Sequence, residues 1–173
     1  MKAMLTSSLG GSFKVNGTRV PSILIQQNGL LDNLKSIWIQ NAKVLIICGA
    51  PTGYEKNDSV YACLKEAFPM SGLSVSYIDK CDDRNLNAIE NLKNIDVIIL
   101  AGGHVPTQNR FMKQLRLIED ITFDDSVGHE IIALNDGSYI MIDEGQTTLY
   151  GEAYMIKDRQ QTQICKDGET MAL

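Results

Sequence analysis

The chain has 173 residues, a net charge of −5, 44% hydrophobic and 21% charged residues. That is enough material for one good core, and it is an ordinary soluble composition. The acidic balance argues against a nucleic-acid partner, which needs a basic face. No apolar stretch is long enough to cross a bilayer, so no membrane partner is expected. The opening Met1-Lys2-Ala3-Met4-Leu5 is basic, then apolar, but its apolar part is too short for a signal peptide. The four cysteines, Cys48, Cys63, Cys81 and Cys165, form no Cys-x-x-Cys pair. They read as buried, reduced thiols of a cytoplasmic protein. Two histidines, His104 and His129, are too few and too scattered for zinc, and no cofactor is implied.

In chain order, Lys2 to Thr6 is strand-like. Ser7 to Ser12 follows as a small-residue loop without the Lys-Ser/Thr ending of a P-loop. Asn28 is placed to cap a helix whose Leu30, Leu31, Leu34, Ile37 and Trp38 make one apolar stripe. Lys43 to Cys48 is a buried strand, turned by Gly49-Ala50-Pro51-Thr52-Gly53. Asp58 or Ser59 is a candidate cap for the next helix, with Val60, Cys63, Leu64, Ala67 and Phe68 inward and Pro69 and Gly72 closing it. Leu73 to Ile78 is a third strand. Asp82-Asp83-Arg84 after it has a superficial likeness to a magnesium or phosphoacceptor cluster, but capping by Asp83 or Asn85 accounts for it. Leu86, Ile89 and Leu92 mark another helix, and Asp96 to Ala101 a fourth strand. Alternating strands and helices with short connections predict a parallel sheet with helices on both faces. Leu45, Ile46, Val75, Ile98, Ile99 and Leu100 are expected to be buried in it.

The fourth strand ends in Gly102-Gly103-His104-Val105-Pro106, and Gln108 to Leu117 can run on as a helix. In an open α/β sheet, ligands sit at this carboxyl edge. Gly102 and Gly103 therefore offer backbone N–H groups to an anion or oxyanion, with His104 beside them. An ordinary tight turn also accounts for the pair. Beyond Glu119 the pattern changes to short strands at Glu130 to Leu134, Ser138 to Ile142, Thr147 to Tyr150, Ala153 to Ile156 and Thr162 to Cys165. Asn135-Asp136-Gly137 and Asp143-Glu144-Gly145 are hairpin signals. The expected result is an antiparallel meander and, from Lys166 to Leu173, a loose tail.

Several stretches together resemble the dipeptidase E family of serine peptidases, which includes cyanophycinase. They are Leu5 to Gly11, Asn28 to Leu34, Tyr54 to Ser59, Ile98 to Gln108 and Leu134 to Tyr139. The resemblance covers nearly the whole chain and implies a class I glutamine amidotransferase-like (flavodoxin-like) fold. The fold expected is thus α/β: a three-layer sandwich with a mostly parallel sheet plus the C-terminal meander, in one domain over 1–173. The family's mechanism uses a serine on a Gly-x-Ser-Ala-Gly elbow, a later histidine as base, and an acidic residue to orient it. The turn matching Gly102-Gly103 would help bind the oxyanion.

The chain departs from that pattern at the decisive place. Between about Phe111 and Leu115 a segment of the family pattern is absent, and no Gly-x-Ser-x-Gly occurs anywhere. The elbow serine and its histidine have no counterpart. Ser126 and His129 are close in sequence but read as a polar loop. Two functions follow as expectations. The first is a peptidase E-like protein that is enzymatically silent, by descent a hydrolase of aspartyl or other small peptides. The second is a non-catalytic module that binds a small peptide or carboxylate at the Gly-Gly turn. In the family the absent segment supplies a strand next to the one at Val97, so its loss should leave an open edge or apolar surface there, and a homodimer through it, or poor solubility, is expected.

Overall fold

The computed structural model describes residues 2–117, 131–157 and 160–173. In chain order the strands are β1 (Ala3–Thr6), β2 (Gly10–Val15), β3 (Thr18–Leu24), β4 (Ala42–Ile47), β5 (Val75–Cys81), β6 (Val97–Leu100), β7 (Ile131–Leu134), β8 (Tyr139–Asp143), β9 (Gln146–Tyr150), β10 (Ala153–Lys157), β11 (Gln160–Cys165) and β12 (Thr170–Ala172). The helices are α1 (Leu30–Ile37), α2 (Tyr54–Met70) and α3 (Val105–Gln114). The chain divides into two compact units, one holding β1, α1 and β7 to β12, the other β2 to β6 with α2 and α3.

The second unit contains the parallel sheet, of three strands in the order β5-β4-β6. Its centre, β4, is apolar because both of its faces are covered. Leu45 and Ile47 lie in a core with Cys81, Phe111, Met112 and Leu115, closed by Ala88, Ile89, Leu92 and Ile95. Val44 and Ile46 point to the opposite face and are equally buried. The predicted helix at Leu86 is a 3₁₀ run, Leu86–Asn94, kinked at Asn91. The stretch from Phe111 to Leu115 is the last turn of helix α3 and its cap, with Phe111, Met112 and Leu115 buried. A hairpin, β2–β3, precedes this sheet, and α2 packs against it.

Two expectations about this sheet are corrected. Strand β6 pairs in parallel with β4 as expected, Leu45 opposite Ile98 and Ile47 opposite Leu100. It is, however, an edge strand, and Ile98 and Leu100 are 48% and 53% exposed. Ile99 and, on the other edge strand, Val75 are half-buried. An apolar run cannot tell a central strand from one whose outer neighbour is missing. The fold class is also overturned. The sheets are mostly antiparallel and the one parallel sheet is small, so the molecule is not a three-layer, mostly parallel sandwich.

The first unit is where most antiparallel pairing lies. One sheet has the order β1-β8-β9-β12 and the other β11-β10-β7. Ile140 and Leu149 of the former and Ala153 and Cys165 of the latter share one core, with Ile132, Leu134, Ile142, Ile164 and Met171 packed against it. Ile132 and Leu134 on β7 and Ile140 and Ile142 on β8 sit two apart, as one face of a strand requires, whereas on β11 the neighbours Ile164 and Cys165 both reach the core. Strand β1 therefore does not begin a parallel sheet, because Ala3 to Thr6 pair antiparallel with Ile142 to Tyr139. The expected loose tail is ordered as β12 on β9. The strand start expected at Glu130, together with Ser126 and His129, lies outside the described residues.

Asn28 does not cap α1. Its backbone is left-handed, with φ 53°, and its side chain ties three loops together. Nδ2 donates to Gly137 O at 3.1 Å and to Asp167 Oδ1 at 3.2 Å, and Oδ1 accepts from Gly168 N at 2.9 Å. The fully buried Tyr139 donates from its hydroxyl to Asn28 O at 2.8 Å and accepts from Asn33 Nδ2 at 2.5 Å. Its ring stacks on Tyr150 at 4.6 Å. Tyr139→Phe keeps the stack but leaves the Asn28 carbonyl and the Asn33 amide without this partner. The expected loss is about 1–3 kcal/mol of stability, read from urea unfolding.

Candidate functional site

Strands β4, β5 and β6 run the same way, so their exits share one edge. The exits are Cys48 to Gly53, Asp82 to Arg84 and Ala101 to His104. The ladder ends with Ala101 N donating to Ile47 O at 2.9 Å and Cys48 N to Cys81 O at 3.0 Å. From there the β6 exit is held by α3, because Gln108 Nε2 donates to Ala101 O at 2.8 Å. His104 stands at the start of α3, its Nδ1 3.0 Å from Thr107 Oγ1.

The predicted site residues Gly102, Gly103 and His104 are all exposed. No described residue accepts a hydrogen bond from their N–H groups. The reason for glycine here is close approach, not a special turn conformation. A Cβ on Gly103 would stand 3.0 Å from both the carbonyl carbon and oxygen of Gly49. One on Gly49 would come within 2.5 Å of Ala101 O. The two exits thus pack backbone on backbone. The other side of the turn is open, since a Cβ on Gly102 would meet nothing within 4 Å.

The β5 exit carries the buried charge. Asp82 is 1% exposed, and Arg84 reaches it with Nη2 at 2.5 Å and Nε at 3.1 Å. The same guanidinium donates to both oxygens of Asp58, at 2.7 and 3.2 Å, and lies 4.4 Å from the Tyr54 ring centre. Lys80 Nζ adds a contact to Asp58 at 3.1 Å. Asn57 Nδ2 joins this loop to the next, donating to Ala50 O at 2.9 Å and to Asp82 Oδ2 at 3.4 Å. Tyr54 Oη donates to Asp83 at 3.1 Å. Asp58 and Asp83 therefore cap no helix, and α2 begins four residues before Asp58. The cluster is a clamp of opposed charges. The hydrogen bonds from Arg84, first of all, hold the Asp82 carboxyl below the usual carboxylate range. With those from Lys80 they bring Asp58 down to about 2.

Asn57 and Tyr54 were not expected in this role. Their signal was present in the spacing, with Asn57 three residues before Val60 of the apolar stripe and Tyr54 one turn before Asp58. The nearby thiols offer no nucleophile. Burial, then the Asp82 charge, pushes Cys48 up to about 11, and burial does the same to Cys81. Among the described residues no group of three or more His, Cys, Asp or Glu side chains is placed to hold a metal. Among them also, His104 with Thr107 is the one imidazole–hydroxyl contact, three residues apart at a helix start and without an acidic third member. What the edge can do chemically is donate backbone hydrogen bonds.

The chain matches none of the protein-family models, curated proteins or solved structures with which it was compared.

Two substitutions test the edge. Gly49→Ala forces a methyl against backbone and should cost about 1–3 kcal/mol, whereas Gly102→Ala should change stability by no more than about 0.5 kcal/mol in urea unfolding. Arg84→Ala leaves Asp82 shielded from water and without its cation, so the urea midpoint at neutral pH should fall. Both carboxyls have folded pKa values below their unfolded ones. Their contribution is present above about pH 4 and is lost as pH falls toward 2. Acid titration of stability over that range should therefore be steeper in the parent than in Arg84→Ala.

Proposed function

We propose that this chain is a dipeptidase E-type protein that does not hydrolyse peptides and that holds the carboxylate of a small peptide, or a similar anion, at the Gly102-Gly103 turn. The observation that carries the reading is the exposed turn itself. Its N–H groups are free of described acceptors, and the imidazole–hydroxyl contact beside them, His104 with Thr107, has no acidic third member among the described residues. Free backbone donors at the carboxyl edge of a parallel sheet suit an anion. Acyl transfer needs in addition a nucleophile, a base within reach and donors aimed at one carbonyl. The absence of a Gly-x-Ser-x-Gly elbow from the sequence supports the silent reading.

A reducing, cytoplasmic setting belongs to the same proposal. It is supported by four cysteines that are unpaired and buried. Among the described residues no helix is long and apolar enough to cross a membrane.

Loss of a nucleophile or base costs about a million-fold in comparable triads, and oxyanion binding alone leaves about a thousand-fold over water. The expected outcome is no turnover of an aspartyl dipeptide and no labelling by a fluorophosphonate probe. Stoichiometric labelling of the purified chain would overturn the silent reading. For the binding reading, titration with the same dipeptide should move the NMR amide signals of Gly102 and Gly103. Movement elsewhere with those two unchanged would refute it.

A further inference from the structure

The sequence contains two Asn-Gly dipeptides, Asn16-Gly17 and Asn28-Gly29. Their backbones are alike: φ is 49° and 83° in the first pair, 53° and 72° in the second. What differs is what the reactive groups touch. We propose that Asn16 is a site of spontaneous deamidation in the folded protein and that Asn28 is protected from it.

The reaction is internal and needs only water. The backbone nitrogen of Gly17 attacks Cγ of Asn16. A C–N bond forms, the Cγ–Nδ2 bond breaks, and ammonia leaves. The five-membered imide is then opened by water at either carbonyl, giving aspartate or isoaspartate. Three conditions favour it: an unshielded nitrogen, a nitrogen that can give up its proton, and a side chain free to swing.

Asn16 meets all three. Val15 pairs with Thr18, so Asn16-Gly17 is the two-residue tip of the β2–β3 hairpin, and both residues are exposed. A Cβ on Gly17 would meet nothing within 4 Å. Among the described residues neither Gly17 N nor the Asn16 amide has a hydrogen-bond partner. Lys14 and Arg19 face each other two positions from the tip. Arg19 donates to Ser12 Oγ at 2.8 Å, which leaves the exposed Lys14 as the cation that favours the anion formed during attack and the carboxylate that remains.

Asn28 meets none. Gly29 N donates to Gln26 O at 3.1 Å, which occupies the attacking nitrogen. Nδ2 is bound to Gly137 O and Asp167, and Oδ1 to Gly168 N, which fixes the leaving amide. Reaction there has to wait for local unfolding, so it is slowed by the rarity of the open state. The isoaspartyl product at residue 16 would add a methylene to the main chain of a turn that sets strand register.

The test is incubation of the full chain in mildly alkaline buffer, followed by peptide mapping with mass spectrometry. Isoaspartate is detected separately by methylation with a protein isoaspartate methyltransferase. Residue 16 is expected to convert at least about tenfold faster than residue 28 in the folded protein. In urea the two rates should converge, because only the fold distinguishes them. Equal rates in the folded chain would overturn the protection of Asn28. An Asn16 that persists when folded yet converts in urea would overturn its assignment as the reactive site.

Discussion

A carboxylate cut off from water has to be paired, and Asp82 imposes that requirement on the whole carboxyl edge of the parallel sheet. Arg84 satisfies it with two donors and spends the rest of its fork on Asp58, so the loop after β5 is bound to α2. Asn57 extends the network to the carbonyl of Ala50, which binds the loop after β4. The turn after β6 then rests on Gly49 by backbone contact. Three strand exits and the start of one helix are therefore a single hydrogen-bonded and close-packed body. Removing one partner from it is costly because the other charge stays buried.

That arrangement separates two things an active site needs. Backbone donors are positioned by loop packing and glycine contacts, as at Gly102 and Gly103. Nucleophile and base are individual side chains on particular elements. At this edge the carboxylates of Asp58 and Asp82 are occupied by Arg84 and Lys80, and burial holds the thiols of Cys48 and Cys81 in their neutral form. What this edge leaves exposed is the Gly102-Gly103 turn, with His104 and its contact to Thr107 beside it.

The legible parts of the chain are those whose structure is set locally. β4 is a continuous apolar run, and α2 carries its stripe at 3.6 spacing, so both stand out in the residues alone. The alternation of strand and helix between Ala42 and Gln114 likewise pointed to the local parallel pairing. The illegible parts depend on distant partners. Strand β1 reads the same whether it joins a parallel neighbour or, as here, β8 at the far end of the chain. Thr170 to Ala172 is too short to carry a period, and it is a strand only because β9 offers an edge. Asn28 has the residue type of a helix cap, yet the same oxygen finds Gly168 N instead. The exposure of Ile98 and Leu100 follows from a missing neighbour, which no residue within β6 reports.

Two sets of loops, one in each unit, are braced by polar side chains that meet in pairs. Tyr54, Asn57 and Asp58 hold Asp82, Asp83 and Arg84. Asn28 and Asn33 hold Gly137 and Tyr139. In each pair the side chains satisfy buried or half-buried polar groups that would be costly if left alone. These residues are therefore under structural constraint in a chain of this shape whether or not it performs any chemistry.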